Sequence, residues 1–121
     1  MILTNENEHE YRFGDNGPKY LCRGPMMDFG VVVIQPNQDF DAHKHETLEE
    51  SFFVLDGQCE LHLDGELIVL KKGDFIQCEP GDTHYFKNTF DEPFKACFIK
   101  APHVAKDSVY VDWKPGQPFS N

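Results

Sequence analysis

The sequence predicts one all-β domain, a sandwich or a barrel, on three observations. Turn signals recur between Lys19 and Lys100 at intervals of roughly ten residues, the spacing of short antiparallel strands. The segments between them are rich in β-branched and aromatic residues, which suit a pleated, half-buried surface. At 121 residues the chain can enclose one core but not two.

Taken in order, residues 1–18 are polar and glycine-bearing and read as a loop-like segment. Strands are expected at Met27–Gln35, Glu50–Leu55, Gln58–Leu63, Glu66–Leu70, Phe75–Glu79, His84–Asn88 and Phe94–Lys100. Thr47-Leu48-Glu49-Glu50 also fits a helical capping box, with Leu48, Phe52 and Leu55 on one helical face. A helix there would be very short and would run straight into a turn, so strand is the expectation. Asp56-Gly57 and Asp64-Gly65 are pairs that tolerate the positive φ angles of a type I′ turn, which predicts two successive hairpins. Cys59, Leu61 and Leu63 alternate with Glu60, His62 and Asp64, which turns His62 outward. Residues 101–121 form a tail whose Val109, Tyr110, Val111 and Trp113 need a cover, either the barrel itself or a second subunit.

Composition narrows the function classes. Eleven basic against twenty-one acidic residues give a net charge of −10, which repels phosphate backbones and anionic lipid surfaces and argues against nucleic acid or membrane partners. No purely apolar run exceeds four residues, far short of the roughly 20 that a membrane helix needs. The opening MILTNENEHE lacks a signal core, so a cytoplasmic protein is expected. Cys22, Cys59, Cys78 and Cys97 stand singly, without a C-x-x-C pair, and read as buried thiols. His9 and His103 lie outside the patterned region and are expected to be exposed.

His43-Lys44-His45 places two imidazoles at i and i+2, on one face of an extended segment, where both can grip one ion. Glu50 follows at the start of the next strand, and His84 follows the Pro80-Gly81-Asp82-Thr83 turn. A sheet curled into a small barrel can bring all four to one interior point. A metal-free barrel in which they only bond one another is the alternative, and it would bury four polar groups at a cost. Glu49 competes with Glu50 as the carboxylate. Strand alternation carries Phe52 and Val54 inward with Glu50, and Phe86 and Asn88 inward with His84. Phe52 and Phe86 therefore line a pocket or fill the barrel, and Arg23 reaches a carboxylate-bearing substrate or a surface salt bridge.

His43-x-His45-(x)4-Glu50-(x)6-Gly57 resembles the first cupin motif, and Gly73-(x)7-Gly81-(x)2-His84-(x)3-Asn88 resembles the second. Asn37 and Glu79 stand where the family usually has a glycine and a proline, both turn positions. The resemblance implies a double-stranded β-helix, or jelly-roll barrel, over residues 19–100. It favours Glu50 over Glu49, and implies one divalent transition metal per chain, Fe, Mn, Ni, Zn or Cu, held by His43, His45, Glu50 and His84. Such a donor set leaves open positions on an octahedral ion. The implied activity is a metal-dependent enzyme on a small-molecule substrate, dioxygenase-type first, with Glu50 able to take a substrate proton. A metal-dependent isomerase or lyase and a non-catalytic small-molecule-binding or sensing cupin are the alternatives. A homodimer is a further implication of the resemblance.

Overall fold

The computed structural model describes residues 1–120. After a 3-10 turn at Glu6–Glu8 come ten strands: β1 Gly17–Arg23, β2 Asp28–Ile34, β3 Asp39–His45, β4 Glu49–Asp56, β5 Gln58–Leu63, β6 Glu66–Lys71, β7 Phe75–Cys78, β8 His84–Lys87, β9 Phe94–Ala101 and β10 Ser108–Tyr110. Two five-stranded antiparallel sheets result, ordered β1-β2-β9-β4-β7 and β10-β3-β8-β5-β6. This is the expected all-β jelly-roll architecture, and Thr47–Leu55 runs largely as strand β4.

The core lies between the sheets. Inward positions of β2, β4 and β9 contribute Val32, Ile34, Phe52, Val54, Phe94, Ala96 and Phe98, which meet Cys59, Leu61 and Phe86 from β5 and β8. Phe94, Ala96 and Phe98 are essentially sealed from solvent, as period-2 alternation on β9 requires. All four cysteines are free thiols, with Cys59 and Cys78 buried and Cys22 and Cys97 half-buried.

Two expectations need correction and a third needs refinement. Only Asp64-Gly65, with φ of 50° and 81°, forms the hairpin turn, joining β5 to β6. At Asp56-Gly57 only Gly57 has positive φ, and the chain passes from one sheet to the other. A side chain at Gly57 would collide with the Pro93 carbonyl, so this glycine serves a close approach between chain segments. His62 does lie on the outer face of its sheet, but Trp113 covers it at 5.6 Å between ring centroids, and its side chain is only 11% exposed. His103 is not free in solvent either, because its Nδ1 lies 2.7 Å from the buried Asp28 carboxylate.

The tail covers its own barrel. Strand β10 pairs with β3, and Trp113 packs with Ala42 and Tyr85 in a second, smaller core. With Trp113 buried and Val109 and Val111 half-buried, Tyr110 alone of those four stays exposed, so the tail by itself does not call for a second subunit.

Candidate metal centre

Strand β3 supplies His43 and His45, β4 supplies Glu50, and β8 supplies His84. His43 and His84 are direct cross-strand partners. The tight passage from β3 to β4 brings Glu50 back onto His45, and the Asp107 carboxylate fixes it. That carboxylate accepts from the backbone N–H groups of Glu46, Thr47 and Leu48 at 3.2, 2.9 and 2.8 Å. On the other side the Gly81 N–H, at a φ of 90°, donates to the His45 carbonyl at 2.7 Å and locks the turn before His84 against β3.

One potential ligand atom from each of His43, His45, Glu50 and His84 lies within 4.8 Å of the others. His45, Glu50 and His84 are buried and His43 is half-buried. His43 Nδ1 lies 3.0 Å from the Asp41 carbonyl and His84 Nδ1 lies 3.3 Å from the Asp82 carbonyl. A carbonyl only accepts, so in both rings the proton sits on Nδ1 and the Nε2 lone pair is left free. His45 Nε2 faces Glu50 Oε1 at 3.0 Å, and its Nδ1 lies 3.4 Å from the Ser108 hydroxyl.

Electrostatics agree at His43 and set the charge of Glu50. Burial, then the neighbouring His84, pushes the His43 pKa down to about 4, so the ring is neutral at pH 7. Burial opposes ionisation of Glu50, but His45, His84 and the Lys100 ammonium together hold its carboxyl well below the usual carboxylate range. At neutral pH the site therefore holds a carboxylate, Glu50, beside the neutral His43 ring.

The observation that favours a shared cation is His84 Nε2. It is buried, sits 3.3 Å from Glu50 Oε1 and makes no hydrogen bond. An unpartnered buried nitrogen is costly, and a cation shared among the four groups would take up its lone pair. Neutral imidazoles with one carboxylate suit a divalent first-row metal.

The cluster opens into a cavity of about 580 Å³. Phe52 and Phe86, 5.0 Å apart between ring centroids, line it beside His84. Arg23 lies at its exposed rim, stacked on the Tyr20 ring at 4.4 Å and in no salt bridge among the described residues. Glu49 faces away and accepts a hydrogen bond from Gln77. Sequence reasoning missed Tyr20, Lys100, Arg12 and Ser108 on the cavity wall. Lys100 was within reach, since it continues the inward alternation Phe94, Ala96, Phe98.

The cupin domain family matches residues 30–100, more than half of the chain and all four clustered residues. The chain belongs to the cupin family. Cupins typically bind a divalent metal, and this cupin has a His/Glu cluster that could hold one. It is 36% identical over 93 residues to an uncharacterized protein of Methanocaldococcus jannaschii, covering 76% of this chain and 74% of that one. It is 40% identical over 91 residues to quercetin 2,3-dioxygenase of Bacillus subtilis, covering 72% of this chain but only 27% of that protein. A double-stranded β-helix protein of Klebsiella pneumoniae superposes with a TM-score of 0.80 at 23% identity, covering 93% of this chain and 99% of that one. No helix among the described residues is long and apolar enough to cross a membrane.

Proposed function

We propose that this cupin is a metal-dependent enzyme acting on a small organic molecule, with dioxygenase-type chemistry. The observation that carries the reading is the convergence of His43, His45, Glu50 and His84 at a cavity large enough for such a molecule, with one ring nitrogen left unpartnered. The similarity to a quercetin 2,3-dioxygenase supports the oxidative form. When bound, a divalent Fe, Mn, Ni, Zn or Cu would supply Lewis-acid polarisation or dioxygen activation.

The chain's own residues divide the remaining work. The Asp41 and Asp82 carbonyls and the Ser108 hydroxyl orient the three imidazoles. Phe52 and Phe86 wall the site with apolar surface and keep water from it. Glu50 Oε1, already hydrogen-bonded to His45, is the atom placed to accept a substrate proton. A homodimer belongs to this reading on different support from the tail: Phe53, Phe75 and Ile99 lie exposed on one outer face of the β4/β7/β9 region, apolar surface a second copy would cover. Light scattering at 14.0 kDa alone would remove it.

Metal analysis of untagged protein should find close to one divalent ion per chain, and His84→Ala or Glu50→Ala should lose most of it. Equal trace metal in wild type and variants overturns the metal reading. Oxygen uptake with Fe(II) and a panel of diketones, catechols and flavonols then tests the oxidative step. No uptake across the panel would leave a non-oxidative isomerase or lyase, or a binding cupin.

A further inference from the structure

The chain has two arginines, Arg12 and Arg23, and the cavity wall contains both, together with Lys100. That placement runs against a composition of 21 acidic and 11 basic residues. None of the three makes an ion pair among the described residues, whereas carboxylates on the same wall are already engaged. Asp28 takes His103 and the Gly24 N–H, Asp39 takes the Tyr85 hydroxyl, and Asp107 takes three backbone N–H groups. No carboxylate oxygen among the described residues lies within 4.0 Å of any of the three cations, although the Glu50 carboxylate, cross-strand from Lys100, feels its charge.

Two of them are organised around one ring. On β9, Lys100 stands between Asp28 of β2 and Glu50 of β4, on the face that also carries Phe98. Its ammonium donates to the Tyr20 hydroxyl at 2.7 Å, which leaves two of its three N–H donors uncommitted. Arg23 reaches the same ring because β1 bulges between Tyr20 and Cys22. Strict alternation from Tyr20 would point Arg23 outward, but the extra residue shifts the phase and pairs it with Asp28. The Arg23 guanidinium carbon and the Lys100 ammonium lie 4.4 and 5.2 Å from the Tyr20 ring centroid. Two like charges gathered around one phenol repel, and a bound anion offsets the repulsion. Much of the remaining wall is aromatic, including Phe40, Phe52, Phe86 and Phe94.

We propose that Lys100 and Arg23, arranged by Tyr20, form an anion subsite that holds the carboxylate of a small organic acid whose apolar body lies in the aromatic part of the cavity. The inference rests on the reading of this cavity as the substrate pocket and adds the substrate class. Lys100 and Glu50 are direct cross-strand partners, so a carboxylate held at Lys100 sets the rest of the molecule beside the His/Glu cluster.

The test uses the full chain stripped of metal by chelator, so that no bound ion can itself hold the acid. Benzoate, phenylacetate and cinnamate are titrated beside their amides, which keep the shape and lose the charge, with binding followed by calorimetry or ligand-observed NMR. Each acid that binds should do so at least about tenfold more tightly than its amide. Lys100→Met and Arg23→Gln should each weaken acid binding about tenfold and leave the amide unchanged, and Lys100→Arg should restore most of it. Arg23 is exposed, so its variant tests the subsite without disturbing the core. Equal binding of acids and amides, no binding by any of the three acids, or unchanged affinity in both variants overturns the proposal. Metal content is measured separately on untreated protein, so a failure of the metal reading is seen independently of the acid titration.

Discussion

Asn88 ends the second sequence motif, on the inward-facing side with His84, yet it serves the backbone rather than the cavity. Its side chain is fully buried; its amide donates to the Ile34 and Glu92 carbonyls at 2.9 and 2.8 Å, and its Oδ1 accepts from the Phe90 N–H at 2.9 Å. Asn88→Ala would strand three backbone groups. At about 1–3 kcal/mol for each buried group left unpaired, offset where water reaches the loop, the expected loss is about 3 kcal/mol. Urea unfolding should show it as a lower midpoint with metal content unaltered. An unchanged midpoint would mean that the loop repairs those bonds itself. His43, His45, Glu50 and His84 could be picked out from sequence because their spacing is tied to strand period and to two turns. The anion subsite was legible only in part: Arg23 could be named for a carboxylate and Lys100 follows from alternation on β9, but their meeting on the Tyr20 ring could not be read from residue types. Arg23 points inward only because β1 carries an extra residue, and period-2 reasoning cannot place a bulge that leaves no mark in residue type.

At the level of elements, β1 depends on Gly30, its cross-strand partner at Tyr20. A Cβ at Gly30 would overlap the Phe98 ring and approach the Lys19 carbonyl oxygen to 2.5 Å. The missing side chain therefore makes room for the edge-to-face Tyr20–Phe98 pair, 5.1 Å between centroids, that sets the Tyr20 hydroxyl in front of Lys100. Gly30→Ala should destabilise the protein by about 1–3 kcal/mol, the usual cost of overpacking. It should also weaken acid binding in the titration above, since the ring that organises the cations is displaced. A thermal midpoint equal to wild type would show that β1 can shift without strain. Seven strands were legible as apolar or aromatic runs between turns, but β1, β3 and β10 were not. Gly17–Arg23 and Asp39–His45 carry Arg, Asp and His at positions the cavity uses, which breaks the apolar pattern of a strand. Ser108–Tyr110 is only three residues long and exists by pairing with β3. The Asp56-Gly57 corner reads as a hairpin because sheet membership is a tertiary property, invisible in a dipeptide.

Across the whole molecule, the two ends of the chain are fastened by different physics. The C-terminal tail is held by apolar burial of Trp113, whereas the N-terminal segment is held by charge. Glu6 accepts from Lys95 of β9 at 2.7 Å and lies 3.5 Å from Lys19 of β1, whose ammonium also stands over the Tyr11 ring at 4.2 Å. Lys19 is buried, so without Glu6 its charge would have no carboxylate partner within 4 Å among the described residues. The Lys95 hydrogen bond, with the charges of Lys95 and Lys19, outweighs burial and lowers the Glu6 pKa in the folded state. A depressed carboxyl pKa contributes stability that is complete above the ordinary glutamate value of about 4.3 and disappears as pH falls through the folded value. Glu6→Gln should therefore be less stable than wild type at pH 7, and the gap should narrow toward zero on acidification as wild type loses the same charge. Urea midpoints of both proteins at pH 7 and pH 3 measure it, and other titrating groups largely cancel in the difference. A gap of the same size at both pH values would show that Glu6 acts through shape rather than charge, and that acid does not loosen the N-terminal segment by this route.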